Sequence, residues 1–183
     1  MRLFIASQFS DDYIEGVSKI IDLLNKDFSS SLKIVSPKNI HITYSFLGDI
    51  LDEKDIPFLK RIIDKFRGLE KINFQSKSIG FFPSPHKPRV IWVDCDEYSS
   101  KKLIEIHTLI KKELASNRIY TDDNFKPHIT LARVKKLLFN DEIKKISDIK
   151  IDLKGSIKNI VLFNSNLMPK GPIYEKIYEV DFV

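Results

Sequence analysis

One cysteine, Cys95, stands in the 183-residue chain, so no intrachain disulfide can staple the fold. A lone thiol fits a reducing, cytoplasmic setting, where cysteine is mostly a small buried hydrophobe, here expected within a strand. Glycine is scarce, at six. Neither a Walker loop nor a Gly-x-Gly-x-x-Gly string occurs, which excludes the glycine-rich phosphate cradles of nucleotide-binding folds. No Cys/His cluster and no His-Glu-x-x-His string is present, so no dedicated zinc site is read and neither metal nor cofactor is expected. Apolar runs fall short of the ~20 residues a membrane-spanning helix needs. The opening, Met1-Arg2-Leu3-Phe4-Ile5-Ala6, reads as a first strand rather than a signal peptide. These absences point to a soluble, cytoplasmic protein without a membrane partner, expected as a monomer.

What the chain does contain suits one folded unit. A hydrophobic fraction of 43% and 13 phenylalanines are enough for a sizeable interior. The length fits a single domain over 1–183, or two small lobes sharing a core. A net charge of +5 favours a polyanionic partner such as nucleic acid through long-range steering.

Periodicity supplies the elements. A strand is expected over 3–8, followed by a helix opened by Ser10-Asp11-Asp12 and carrying Ile14, Val17, Ile20, Ile21, Leu24 and Phe28 inward. Strands follow over 32–35 and 40–47, the second stopped by Gly48-Asp49, and then a helix over 55–67 with Gly68 after it. The stretch 72–94 reads as a hairpin whose strands begin at Ile72 and Val90, with a proline-rich loop, 81–88, between them. Ser99 and Ser100 are candidate caps of a helix reaching Ala115, and a short helix is expected over 141–147. The segment 151–183 alternates and turns at Pro169-Lys170-Gly171-Pro172, as a terminal hairpin does. Helices set between mainly antiparallel strands define an α+β class.

Two strings carry the chemistry: His41-Ile42-Thr43 and His128-Ile129-Thr130. The chain holds only four histidines and four threonines, yet the string occurs twice, 87 positions apart, close to half its length. Packing gives no reason to repeat both polar residues, so the pair reads as one half-site present in each half of a duplicated fold. In a strand, residues two apart share a face, which puts His41 with Thr43 and Ser45, and His128 with Thr130. By the same alternation Ile40, Ile42, Tyr44 and Phe46 face the core. Two imidazoles converging on one groove supply a proton acceptor and a proton donor near neutrality, and the hydroxyls can hold phosphate oxygens. Arg133 would add a charge-assisted phosphate contact. Strict alternation, however, puts Arg133 on the wrong face unless the strand bulges. His107, beside a helical apolar stripe, and His86, in the proline-rich loop, read as packing and exposure. Phe46, Phe81, Tyr120 and Phe125 are possible stacking surfaces that burial tendency assigns to the core, and Lys38 and Lys126 are candidate guides for a nucleic-acid backbone.

With both strings in view, the chain resembles the 2H phosphoesterase superfamily, and within it the LigT-like RNA 2′,3′-cyclic phosphodiesterases. The resemblance runs through Asn39-Ile40-His41-Ile42-Thr43, Phe46-Leu47-Gly48-Asp49, Pro88-Arg89-Val90-Ile91-Trp92-Val93 and Phe125 to Arg133. It implies a bilobal LigT-like fold of two pseudo-symmetric, interleaved lobes around a central groove, and metal-independent opening of an RNA terminal 2′,3′-cyclic phosphate to a 2′-phosphate. RNA 3′ ends, as tRNA fragments or oligonucleotides, are the implied partners. His41 and His128 are then the acid–base pair, with Thr43, Thr130 and Arg133 binding phosphate. Our working assignment makes His128 the base and His41 the acid. A 2′,5′-phosphodiesterase, an RNA ligase or a non-catalytic RNA-end binding module would use the same groove. Tyr44-Ser45 stands where relatives often have an apolar pair.

Overall fold

The computed structural model describes residues 2–48, 53–121, 124–169 and 171–183. Asp49 of the expected strand stop and Lys170 of the expected turn lie outside the described residues. The strands are β1 (Leu3–Ser7), β2 (Leu32–Ile34), β3 (Ile42–Gly48), β4 (Ile72–Ser76), β5 (Ile79–Phe82), β6 (Val90–Val93), β7 (Ile129–Val134), β8 (Leu153–Ile157), β9 (Asn159–Met168) and β10 (Gly171–Asp181). The α-helices are α1 (Asp11–Phe28), α2 (Ile56–Asp64), α3 (Glu97–Ser116) and α4 (Asn140–Ser147). All the strand pairs are antiparallel, in two four-stranded sheets ordered β10-β9-β1-β3 and β2-β7-β6-β5, with β4 and β8 as a separate pair. Each four-stranded sheet therefore takes strands from both halves of the chain. The α+β class read from the sequence is the class observed. No helix among the described residues is long and apolar enough to cross a membrane.

Helix periodicity explains the main core. In α1, Tyr13, Val17, Ile21, Leu24 and Phe28 recur at three- and four-residue steps and are buried, while Asp11 and Asp12 sit in the first turn where the helix dipole favours anions. In α3 the stripe Leu103, Ile106, Ile110 and Leu114 is buried likewise, and His107 joins it. The cap of α3 is Asp96, whose carboxylate accepts from the Ser99 amide at 3.0 Å; neither Ser99 nor Ser100 serves, so the helix starts earlier than expected. Cys95 lies between β6 and α3 rather than in a strand, and burial pushes its thiol up to about 12.

Strand pairing departs from the expected hairpin. β6 pairs with β5, which contains Phe81 and Phe82, two residues assigned from the sequence to the proline-rich loop. β4 pairs instead with β8, about eighty positions away in sequence. Alternation is a local signal and does not encode which distant strand completes a ladder.

The sheets also depart from strict alternation, and two of the register breaks fall at equivalent places. In β3, Ile5 of β1 opposes Ser45 and Ala6 opposes Thr43, leaving Tyr44 as an extra residue. In β7, Ile91 of β6 opposes Ala132 and Trp92 opposes Thr130, leaving Leu131 extra. Each bulge falls three positions after the histidine of its string. A bulge frees the carbonyl of its extra residue from the ladder. The Tyr44 carbonyl accepts from His107 Nδ1 at 2.9 Å, and the Leu131 carbonyl from the Val35 amide at 2.9 Å.

Candidate active site

The bulges decide which side chains enter the groove between the sheets. After Tyr44 the parity of β3 reverses: Ser45 is buried on the face of Ile5, and Phe46, 71% exposed, joins Thr43 on the groove face. Phe46, expected in the core, is therefore on the groove face, and Ser45, expected with His41 and Thr43, borders the groove but is buried. After Leu131 the same reversal buries Ala132 and swings Arg133 onto the groove face with Thr130. The objection from alternation to Arg133 disappears for this physical reason.

The groove encloses about 1050 Å³ and is lined by His41, Thr43, His128, Thr130 and Arg133 together. The four polar residues of the two strings and Arg133 meet there. Lys33, Lys38 and Lys126 line it as well, and no carboxylate does among the described residues. Four cations lining one cavity, with no anion among the described residues, concentrate field lines that draw in a phosphate.

Each histidine precedes its strand and is held in the same manner. His41 Nδ1 lies 2.6 Å from the Asn39 carbonyl, and His128 Nδ1 lies 2.7 Å from the Lys126 carbonyl, in both cases two residues back. A carbonyl only accepts, so Nδ1 carries the proton and Nε2 is the nitrogen left for chemistry. Aromatic walls fix the ring planes. His41 sits 5.3 Å from Phe4 and edge-on to Tyr174 at 5.2 Å. His128 stands edge-on to Phe82 at 4.9 Å and to Trp92 at 6.2 Å. Phe82 and Trp92 stack at 4.7 Å, and the Lys126 ammonium lies over both rings, 5.2 and 5.3 Å from their centroids.

Burial pulls both imidazoles below the ordinary histidine value. For His41, desolvation is the main cause, partly offset by the Asn39 hydrogen bond, and the neighbouring His128 adds to it. For His128, desolvation again leads, partly offset by the hydrogen bond to the Lys126 carbonyl, and the Lys126 and Arg133 charges add to it by repulsion. The two half-sites thus match in geometry and differ in electrostatics.

Other expectations resolve plainly. His86 is exposed, and His107 is fully buried, its ring stacked on Phe125 at 4.5 Å. Phe81 is core, Phe125 lines the groove, and Tyr120 is exposed outside it. Among the described residues no cluster of three or more His, Cys, Asp or Glu could hold a metal ion. Tyr174, Phe82, Trp92 and Lys33 were not singled out for the site by sequence reasoning. Their contributions are ring packing and groove charge, for which single-sequence patterns carry no signal.

A family model described as LigT like Phosphoesterase matches the chain twice, over residues 10–92 and 93–174. The chain belongs to this LigT-like phosphoesterase family, and the two matches are the two halves, each carrying one string. It is 33% identical to an RNA 2′,3′-cyclic phosphodiesterase of Methanocaldococcus jannaschii, over 98% of this chain and 99% of that protein. It is 30% identical to one of Thermotoga maritima, over 100% of this chain and 96% of the relative. In fold it resembles TT0787 of Thermus thermophilus, with a TM-score of 0.82, 23% identity, and 99% and 97% of the two chains covered. It also resembles Escherichia coli LigT complexed with 3′-AMP, at a TM-score of 0.76, 19% identity, and 99% and 97% coverage.

Proposed function

We propose that this protein is an RNA 2′,3′-cyclic phosphodiesterase that opens a terminal cyclic phosphate to a 2′-phosphate with its own side chains and no metal. One observation carries the reading: two imidazoles with Nδ1 tied to a backbone carbonyl, both presenting Nε2 to a single cationic groove. The relatives named above are RNA 2′,3′-cyclic phosphodiesterases, which supports the substrate class.

In the proposed step a water oxygen attacks phosphorus while the bond from phosphorus to the 3′-oxygen breaks, and the 2′-oxygen stays bound. His128 Nε2 takes the water proton, and His41 Nε2 gives a proton to the departing 3′-oxygen. Lys126 and Arg133 disfavour a charge on His128, which suits the base. His41, whose shift comes from burial and from the neighbouring His128, is assigned the acid. Thr43, Thr130 and Arg133 hold the non-bridging oxygens as charge moves onto them. The four cations that line the groove among the described residues disfavour entry of a divalent metal, which supports the metal-free reading.

The test is an oligonucleotide ending in a 2′,3′-cyclic phosphate, incubated in chelator, with the product identified as 2′- or 3′-phosphate. We expect turnover to the 2′-phosphate, and losses of about 10²-fold or more in His41→Ala and His128→Ala, following the usual worth of a proton-transfer group. The cyclic phosphate of catechol, whose leaving oxygen is a phenoxide, should rescue His41→Ala far better than His128→Ala. Equal rescue would reverse or abolish the assignment. Near-wild-type turnover by either variant would refute the pair.

A further inference from the structure

The two bulges are closed crosswise. The Leu131 carbonyl, in the second half of the chain, accepts from the Val35 amide of the first half, and the Tyr44 carbonyl, in the first half, accepts from His107 of the second. One closing donor is thus a backbone amide. The other is an imidazole, a buried titratable side chain that the proposed chemistry does not use. A carbonyl only accepts, so Nδ1 of His107 carries the proton, and the bond fixes the plane of the ring as well as its place. The apolar stripe of Leu103, Ile106, Ile110 and Leu114 asks for no polar member here.

The face of the His107 ring is also occupied. Phe125 lies flat on it, with centroids 4.5 Å apart and planes 16° from parallel, and Tyr44 flanks Phe125 at 6.0 Å. Phe125 stands three residues before His128 and one before Lys126, whose carbonyl holds the His128 tautomer. The stretch from Asn124 to His128 belongs to no helix or strand. The corresponding approach to His41 is a 3-10 turn, Pro37–Asn39, in which the Asn39 and Ile40 amides donate to the Ser36 and Pro37 carbonyls, and the Asn39 side chain donates to the Pro172 carbonyl at 2.9 Å. His41 is reached through hydrogen-bonded backbone, and His128 through a stacked pair of rings.

We infer that His107 is a positioning residue for His128: its bond to the Tyr44 carbonyl sets the ring, and the ring holds Phe125 and with it the segment that delivers His128 to the groove. This inference rests on the cyclic-phosphodiesterase reading. Thr130 and Arg133 lie in β7, which β2 and β6 hold by their own ladders, so phosphate binding does not depend on the brace. The placement of His128 does, and a shift of about 1 Å in a catalytic group can cost up to ~10² in rate.

The test separates the ring from its hydrogen bond. His107→Phe keeps a ring on Phe125 and leaves the Tyr44 carbonyl without its donor, so it should lower Tm and keep most of kcat. His107→Asn keeps an N–H for that carbonyl and removes the ring. It should lose about 10- to 100-fold in kcat on a 2′,3′-cyclic nucleotide, bind inorganic phosphate as wild type does, and respond to the catechol substrate as His128→Ala does. Phe125→Leu removes the same stack from its half-buried side and should reproduce the loss without adding to it in the double variant. Activity that merely tracks Tm across these variants, or a catechol response like that of His41→Ala, overturns the positioning role. Imidazole resonances in NMR spectra give an arm without turnover: in His107→Asn the signals of His128 should move more than those of His41. Unmoved His128 signals overturn the brace. Wild-type protein that opens no cyclic phosphate, in a chain where those signals do move, overturns the function while the brace stands.

Discussion

Gly80 is the sharpest test of how the His128 wall is held. In β5 it opposes Trp92 of β6. A Cβ at this position would lie 2.2, 2.5 and 2.6 Å from Cζ2, Cε2 and Cη2 of the indole, where ordinary contact begins at 3.4 Å. Gly80→Ala therefore forces the indole to retreat by more than about 1 Å, and the retreat is not free. Trp92 stacks on Phe82, which stands against His128. Overpacking of this kind costs about 1–3 kcal/mol, which for a domain of this size lowers Tm by roughly 2–4 °C per kcal/mol. A catalytic group misplaced by about 1 Å can lose up to ~10² in rate, so a loss of 10- to 100-fold in kcat/KM on a 2′,3′-cyclic nucleotide is expected. Gly155→Ala is the matched control. Its Cβ would meet the Tyr13 Cβ at 2.5 Å, in packing between β8 and α1 that does not line the groove, so it should destabilise without the kinetic loss. Trp92→Phe removes the crowded ring and should recover part of the stability lost in Gly80→Ala, a non-additivity that a double-mutant cycle measures. Strict additivity, or full activity in Gly80→Ala alongside a lowered Tm, would refute the wall.

The two lowered histidines set the pH behaviour. The proposed mechanism needs one imidazole charged and one neutral, so kcat/KM should peak on the acid side of about 6.5 and fall as pH rises above it. A bound phosphate anion favours the charged forms and should shift the kcat profile to higher pH; a kcat/KM still rising at pH ~8 would contradict this. Stability follows the same shifts: the unfolded chain takes up these protons first, so their contribution is complete above about 6.5 and is lost as pH falls through the folded values. A His41→Gln/His128→Gln variant should lose that slope in denaturant titrations. Arg133→Ala should cost about 10²-fold in kcat/KM, and Arg133→Lys should recover only part, lacking the planar fork. Ser45→Ala should be neutral or stabilising by up to about 1 kcal/mol in thermal melts, because the Ser45 hydroxyl is buried with no partner among the described residues. The equivalent position of the other half is already Ala132.

Much of this architecture is legible in the sequence because periodicity is local. The stripe of α1 and the repeated His-Ile-Thr needed no tertiary information, and the doubled string placed His41, Thr43, His128 and Thr130 correctly in one groove. What escaped is set by partners. The bulges at Tyr44 and Leu131 arise from register against β1 and β6, so alternation misassigned Phe46 and argued wrongly against Arg133. The pairing of β4 with β8 depends on a strand about eighty positions away. The carbonyls of Asn39 and Lys126 that fix the tautomers are backbone atoms, which every residue type supplies, so no side-chain pattern announces them.

A duplicated site meets a difficulty that its geometry alone does not solve. Hydrolysis takes a proton at one end of the reacting line and gives one at the other, while the repeat offers the same histidine, tautomer and hydroxyl twice. The shared frame, from the carbonyl two residues before each histidine to the bulge three residues after it, is what a near-symmetric pair of proton carriers requires. Polarity must therefore come from positions where the halves differ, and the bulge places such a position in the groove on each side. Arg133, with Lys126, puts positive charge beside His128, whereas Phe4, itself packed on Phe46, puts apolar surface beside His41. Exchanging the two outward residues, Phe46→Arg with Arg133→Phe, would move the charge to the other lobe while leaving both histidines in place. In the proposed mechanism it is the division between acid and base that such an exchange would disturb first, read as a change in which alanine variant the catechol substrate rescues.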